Sequence, residues 1–340
     1  MLFFGTGKQA TNIVLCIRKQ LTSPPQADDL EFIGVGCRDH TLDAFSSRLN
    51  DLFPNARRTV ALHSDTYVPN GGPSIGFIAS PPDAHGAGVS WMLRHGVDRI
   101  VIEKPIASTH GDLEAIGSVL RSEPDRVCIQ EQYLYSQLYD ELIALAKDPT
   151  LYIAERTGVH PLEPLTITGT VAQFYKRRVK DLHSKRHAEN ICLLELPHIL
   201  TLLHNAFGAQ SVASLTVDDL HYRSRIYRGY KKASIVVHDR QQRQHRIELS
   251  NVDRCRRVMN VELSDGTNVA LHFPGRLRHE STVFESRVAI TRGRKLIYEK
   301  SYADDHLATA VRHYLRWRDI RGTYERCYEP SRLVIDLAGM

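Results

Sequence analysis

Two short stretches of this 340-residue chain carry side chains able to move protons. The first is Glu103-Lys104-Pro105, which closes the run Ile100-Val101-Ile102. Three β-branched residues read as a buried strand and the proline ring ends its ladder, so Lys104 is delivered to a strand's carboxyl end, where ligands of open α/β sheets collect. The second is Glu195-Leu196-Pro197-His198, an acid and an imidazole three apart on one face of a helix predicted over 189–207. Each has a plain alternative: a solvated ion pair at a strand end for Glu103 and Lys104, and a satisfied core histidine for His198.

A third stretch is suited to an anion. Gly5-Thr6-Gly7-Lys8-Gln9-Ala10 follows Leu2-Phe3-Phe4 and precedes Ile13, Val14, Cys16 and Ile17 at helical spacing. This is strand, glycine turn, helix. Gly5 makes the tight bend, Gly7 lets backbone approach a pyrophosphate, and Ala10 lets helix and strand pack closely. Unpaired N–H groups and the dipole of the helix N-terminus favour the phosphates. Glycines also serve ordinary turns, but the strand-to-helix context supports the anion site. Only about three residues precede Gly5, against the usual five or six of a strand, so a few residues upstream of Met1 are expected.

The elements that position these residues alternate. A strand over 32–36 leads into Cys37, Arg38 and Asp39. An acid at this strand end suits the ribose 2′-hydroxyl of NAD, whereas uncharged Cys37 beside the Arg38 guanidinium suits a 2′-phosphate, so NADP is expected ahead of NAD. The alternative makes Asp39 the ribose acid, or the N-cap of a helix starting near Thr41. Further strands are predicted over 60–62, 74–79, 100–102 and 127–130, with helices through Phe45 and Leu49, over 89–94 and over 111–121. The strand over 74–79 ends in Ser80-Pro81-Pro82-Asp83-Ala84-His85. Such alternation predicts a doubly wound parallel sheet.

Bulk properties narrow the class. The length favours two domains; 42% hydrophobic and 24% charged residues are ordinary for a globular enzyme, and a net charge of +5 is too mild to argue for nucleic acid. The six cysteines (Cys16, Cys37, Cys128, Cys192, Cys255, Cys327) form no C-x-x-C and no Cys/His pair at zinc spacing, so reduced thiols in a cytoplasm and no metal are expected. With no basic, then apolar N-terminus and no window approaching about eighteen apolar residues, neither export nor a membrane span is expected.

Gly-Thr-Gly-Lys-Gln-Ala at 5–10, Ala-Ser-Pro-Pro-Asp-Ala-His at 79–85 and Val-Ile-Glu-Lys-Pro-Ile-Ala at 101–107, in that order, resemble the glucose-fructose oxidoreductase / inositol dehydrogenase family, Gfo/Idh/MocA. The resemblance implies an α/β protein: an N-terminal Rossmann dinucleotide-binding domain over 1–130, and a C-terminal α+β domain over 131–340 whose open, mainly antiparallel sheet carries the substrate pocket and often an oligomer interface. A homodimer or homotetramer follows by resemblance, as does a cis peptide before Pro105. Gly5, Thr6, Gly7, Lys8, Gln9, Cys37, Arg38, Ser80, Pro81, His85, Glu103, Lys104 and Pro105 are the expected cofactor contacts.

In the second half, a helix is predicted over 136–146 and a strand over 166–174. Then comes the basic run Tyr175-Lys176-Arg177-Arg178-Val179-Lys180, continuing through His183, Lys185, Arg186 and His187. It is either a solvated loop or a clamp for a substrate phosphate or carboxylate; Tyr175 and Arg178 are the expected substrate contacts. The family's corresponding helix carries an aspartate and a histidine four apart after a glycine-rich lead. Here the lead is Glu189-Asn190-Ile191, the spacing is three and the four-back residue is Leu194, so His198 matches the histidine and Glu195 stands where a substrate-binding acid is expected. Strands are predicted over 211–217, 233–238, 246–250, 257–263, 268–273, 287–292 and 295–302, with hairpin turns at 264–267 and 292–294 and closing helices over 304–318 and 331–338. Basic residues around Tyr222, Tyr227 and Tyr230 read as an ordinary half-exposed sheet rather than a nucleic-acid surface.

The expected function is therefore that of an NADP(H)-dependent oxidoreductase, with NAD as the alternative cofactor, moving a hydride to or from a carbonyl or secondary alcohol of a sugar, cyclitol or related small molecule, anionic if the basic run is a clamp. Lys104 is the expected proton donor or polariser of the substrate oxygen, His198 the second, and Glu103 orients Lys104. Two alternatives remain: reduction of an imine or conjugated double bond, and a non-catalytic NAD(P)-sensing regulator.

Overall fold

In the computed structural model the described residues are 1–21, 30–36, 39–62, 74–175, 191–209, 211–222, 225–250, 256–276 and 284–338. The first sheet contains β1 (Leu2–Phe4), β2 (Glu31–Gly36), β3 (Arg57–Leu62), β4 (Ile75–Ile78), β5 (Arg99–Glu103) and β6 (Val127–Gln130). Its order is β3-β2-β1-β4-β5-β6 and every neighbouring pair is parallel, so the order reverses beside β1, as in a doubly wound dinucleotide-binding sheet. All residues of β4 and β6 are buried, the continuous apolar pattern of strands covered on both faces.

Helices α1 (Lys8–Gln20), α2 (Asp39–Leu52), α3 (His85–Arg94) and α4 (His110–Ser122) alternate with these strands. The α1 helix buries Ala10, Ile13, Val14, Cys16 and Ile17, and the Phe3 ring lies 5.3 Å from each of Phe45 and Phe77. The helix expected over 89–94 begins at His85, directly after a 3-10 turn over Pro82–Ala84. Gly86 and Gly88 disguise its first turns, yet Gly88 belongs there: a Cβ on it would lie 2.8 Å from the Phe4 ring.

The chain divides into two compact units, Met1–Gln132 with Leu307–Tyr328, and Tyr133–His306 with the chain from Glu329. A single cut after residue 130 thus misses the return of Leu307–Tyr328 to the first unit. Long-range bonds hold that return: Gly322 O accepts from Ile129 N at 2.8 Å, and Gln20 Nε2 donates to Ala308 O at 3.3 Å. No local pattern announces them.

The second unit begins with α5 (Gln137–Lys147), α6 (Pro149–Thr157), β7 (Ile167–Tyr175) and α7 (Ile191–Phe207). Seven strands follow, β8 (Ser211–Tyr222), β9 (Arg225–His238), β10 (Gln244–Ser250), β11 (Arg256–Leu263), β12 (Thr267–Arg276), β13 (Phe284–Arg292) and β14 (Lys295–Ala303). The chain ends with α8 (His306–Arg316) and α9 (Tyr324–Ala338). The sheet runs β14-β13-β12-β11-β7-β10-β9-β8 and is antiparallel except where β7 meets β10. Along β7, buried Thr170, Ala172 and Phe174 alternate with less buried neighbours, so one face is packed and the other open. Sequence signals for α6 were present but passed over: Asp148 caps it through Leu151 N at 2.9 Å, Pro149 opens it and Gly158 closes it at φ 70°. The helix expected over 331–338 is only the last part of α9, which contains Pro330. Cys16, Cys128, Cys192 and Cys327 are buried thiols that form no disulfide among the described residues, while Cys37 and Cys255 lie outside the described residues.

Candidate active site

The glycine turn has the geometry its residue types demand. Gly5 sits at φ 98°, and a Cβ there would lie 2.5 Å from Ser80 N and 2.7 Å from Ala79 C. Gly7 is the N-cap of α1 at φ −79°, no side chain caps the helix, and a Cβ on Gly7 would meet nothing within 4 Å. The first turn thus has no side-chain cap and open space beside Gly7, the arrangement that suits a diphosphate. Lys8 is exposed beside it. The Thr6 side chain is turned inward, donating to Thr41 Oγ1 at 3.2 Å, so its hydroxyl fastens the turn to α2.

At the carboxyl ends of adjacent β4, β5 and β6 lie Ser80, Glu103-Lys104 and Gln130 in a row. Ser80 Oγ and Gln130 Nε2 are buried without a hydrogen-bond partner. The open helix end, the Gly5 bend and the Ser80 hydroxyl together fit a dinucleotide. Pro81 precedes the 3-10 turn, and the Lys104–Pro105 peptide is cis, as the resemblance implies.

Glu103 is half-buried and accepts a 3.3 Å hydrogen bond from Gln9 Nε2. Burial pushes its carboxyl up to about 8; Lys104 and the Gln9 bond oppose the rise, and the nearby Glu131 carboxylate adds to it. The carboxyl therefore holds its proton more tightly than a solvent-exposed glutamate does. His85, expected among the cofactor contacts, is 0% exposed, with both ring nitrogens 2.9 Å from main-chain carbonyls.

In the second unit His198 on α7 is buried, its ring edge-on to Tyr133 at 4.6 Å. Tyr133 in turn stacks on His306 at 4.9 Å and meets Phe273 at 5.5 Å and Phe174 at 6.0 Å. Glu195 is also buried, its Oε2 3.6 Å from Arg257 Nε on β11, so its carboxylate is engaged in an ion pair. Tyr175 lies apart from these groups. Its hydroxyl donates to Glu248 Oε2 at 2.8 Å, beside Gln173 Nε2 at the same distance, whereas Phe174 faces Tyr133. Successive strand residues point to opposite faces, so Tyr175 is on the far side of the sheet from His198. Cys37, Arg38, Arg178 and the rest of the basic run lie outside the described residues.

Sequence reasoning missed Gln130, Tyr133, Arg257 and His306. Gln130 had a usable signal, being at the end of a strand next to Glu103; the others meet the site residues only through tertiary packing. Among the described residues no three His, Cys, Asp or Glu side chains gather as metal ligands, and no helix is long and apolar enough to cross a membrane.

No protein-family model matches the sequence, and no curated protein matches it. Solved structures do match. The 3-ketoreductase KijD10 from Actinomadura kijaniata, in complex with NADP and TDP-benzene, aligns at TM-score 0.71 with 13% identity, covering 98% of this chain and 94% of its own. An oxidoreductase from Agrobacterium radiobacter, in complex with NAD+, L-tartaric acid and magnesium, aligns at 0.68 with 13% identity, covering 99% and 95%. UDP-N-acetylglucosamine 3-dehydrogenase GnnA from Acidithiobacillus ferrooxidans aligns at 0.65 with 12% identity, covering 99% and 95%. At such identities the likeness establishes the fold: a Rossmann-type parallel sheet with its helices, and a second, mainly antiparallel sheet, the architecture of these oxidoreductases.

Proposed function

We propose that this chain is an NADP(H)-dependent oxidoreductase of the Gfo/Idh/MocA family that interconverts a carbonyl and a secondary alcohol on a sugar, cyclitol or related anionic small molecule. The observation that carries this is the Gln9–Glu103 hydrogen bond, which joins the open glycine turn to the strand end that bears Lys104. A bound nicotinamide dinucleotide supplies or accepts the hydride. Gly5, Gly7, Lys8, Gln9 and Ser80 hold its phosphate side. Lys104 gives the substrate oxygen its proton, or takes it back. A protonated Glu103 leaves the Lys104 charge to act on that oxygen rather than on a neighbouring carboxylate. His198 is the second proton-carrying group, on the substrate side, with Glu195 held by Arg257.

Two of the matched enzymes support a substrate carried on a nucleotide: KijD10 was solved with TDP-benzene, and GnnA is named for a UDP-sugar. A nucleotide sugar is also the anionic kind of substrate that the basic run around Arg178 suits. Cys37 and Arg38 give the 2′-phosphate its place, with NAD the less favoured cofactor. The open sheet suits a homodimer or homotetramer.

Purified protein titrated with NADPH should shift the cofactor's fluorescence, then oxidise it with at least one member of a panel of keto-sugars, nucleotide keto-sugars and imines. Tight binding without turnover across the panel would instead identify a dinucleotide-sensing regulator. Arg38→Ala should weaken NADPH more than NADH; equal weakening would defeat the 2′-phosphate assignment.

A further inference from the structure

His85 bridges two loops at the carboxyl ends of neighbouring strands. Its Nδ1 is 2.9 Å from Ile106 O and its Nε2 2.9 Å from Ser80 O. Ser80 follows β4 and packs its backbone against Gly5, while Ile106 follows Lys104 and cis Pro105 at the end of β5. The ring is fully enclosed and the residue opens α3, so the side chain is anchored to a rigid element. We infer that His85 is a positioning residue, which fixes the Lys104 turn by donating from rigid α3 to Ile106 O and touches neither cofactor nor substrate. This rests on the reading of Lys104 as the proton donor.

The chemistry of the ring decides which contact matters. Carbonyl oxygens only accept, and a neutral imidazole has one N–H and one lone pair. Burial, against the opposing pull of the Ile106, Ser80 and Pro105 carbonyls and the Asp83 charge, lowers the ring's pKa and so favours the neutral form, in which only one of the two carbonyls receives an N–H. In the proposed tautomer Nδ1 carries the proton and donates to Ile106, two residues from Lys104, while Nε2 faces Ser80 O. Displacement of a proton donor by about 1 Å can lower turnover about a hundredfold. A buried bond to the adjacent turn prevents that drift.

The test reads Lys104 directly. Full-length wild type, His85→Asn, His85→Gln and His85→Leu are treated with trace acetic anhydride, and acetylation of Lys104 is measured by mass spectrometry relative to Lys147 and Lys300. Asn keeps a donor where Nδ1 stood, facing Ile106; Gln keeps one where Nε2 stood, facing Ser80. The expected result is wild-type labelling of Lys104 in the Asn variant and a severalfold change in the Gln and Leu variants, with Lys147 and Lys300 unmoved. Equal Lys104 labelling in all four proteins overturns the proposal, and so does a change shared by all three lysines. If the Leu variant does not fold, the Asn–Gln contrast decides alone. NADPH fluorescence on the same proteins keeps the tests separate: the expected labelling pattern in a wild type that binds no dinucleotide would retain the clamp and defeat the proposed function.

Discussion

Gln9, in the first turn of α1, donates a 3.3 Å hydrogen bond to Glu103 at the end of β5, 94 positions away in the chain. One contact therefore joins the helix end suited to phosphate with the strand end that carries Lys104. It also places the amide against a carboxyl group whose pKa burial raises to about 8.

That carboxyl group makes stability depend on pH. Glu103 binds its proton more tightly folded than unfolded, so its contribution is complete below about 4.5 and declines as pH rises through about 8. Buried His85 and His245, whose pKa values are lowered, act oppositely and lose stability as pH falls below 6.5. Glu103→Gln removes only the first effect. Thermal melts from pH 5 to pH 8 should show the variant gaining on wild type as pH rises; a constant difference would contradict the shift.

Gly5 and Gly7 should separate folding from binding. Gly5→Ala puts a Cβ onto Ser80 backbone at a positive φ and should destabilise the protein by about 1–3 kcal/mol. Gly7→Ala meets open space at an ordinary φ, so its melting temperature should match wild type while NADPH affinity falls. Melts and fluorescence titrations on the two variants check both halves.

Lys104→Ala should retain NADPH binding and lose turnover by about 10²–10⁴-fold, the usual range for a positioned acid or base. Tyr175→Phe should leave turnover unchanged, because its hydroxyl serves Glu248 on the other face of the sheet; loss of that bond should lower stability by about 1 kcal/mol. Steady-state rates measured side by side distinguish the two.

Asp239 anchors the β9–β10 turn. It accepts from Arg243 Nε at 2.6 Å and lies 3.2 Å from Nε2 of buried His245, whose Nδ1 is 3.0 Å from Thr170 Oγ1. Asp239→Ala strips a buried charge from this group and should cost about 3–5 kcal/mol. Urea unfolding followed by far-ultraviolet circular dichroism measures it, because both tryptophans, Trp91 and Trp317, lie in the other unit.

The site was partly legible before any coordinates. The Gly5 turn could be read because a bend at positive φ needs glycine and a helix start leaves its own N–H groups open, both local properties. The end of β5 was legible because proline stops a ladder wherever it falls. Tyr175 was read by its proximity along the chain to the basic run and α7, while the pleat, which sends neighbours to opposite faces, sets it on the face of Glu248. The depth of His85 and its two carbonyl neighbours were not legible, because both depend on tertiary packing.

The sequence by itself determined the alternating strands and helices of the first unit, the glycine turn, the strand end at Lys104 and the strand-rich second half, since each follows from periodicity or from the backbone limits of glycine and proline. Only the tertiary structure decided that Glu103 meets Gln9 and has its pKa raised by burial, that Glu195 is engaged by Arg257, that His85 faces two carbonyls, and that Leu307–Tyr328 rejoins the first unit. Those are matters of burial and of partners far apart in the chain, and burial sets what a charge or an imidazole can do.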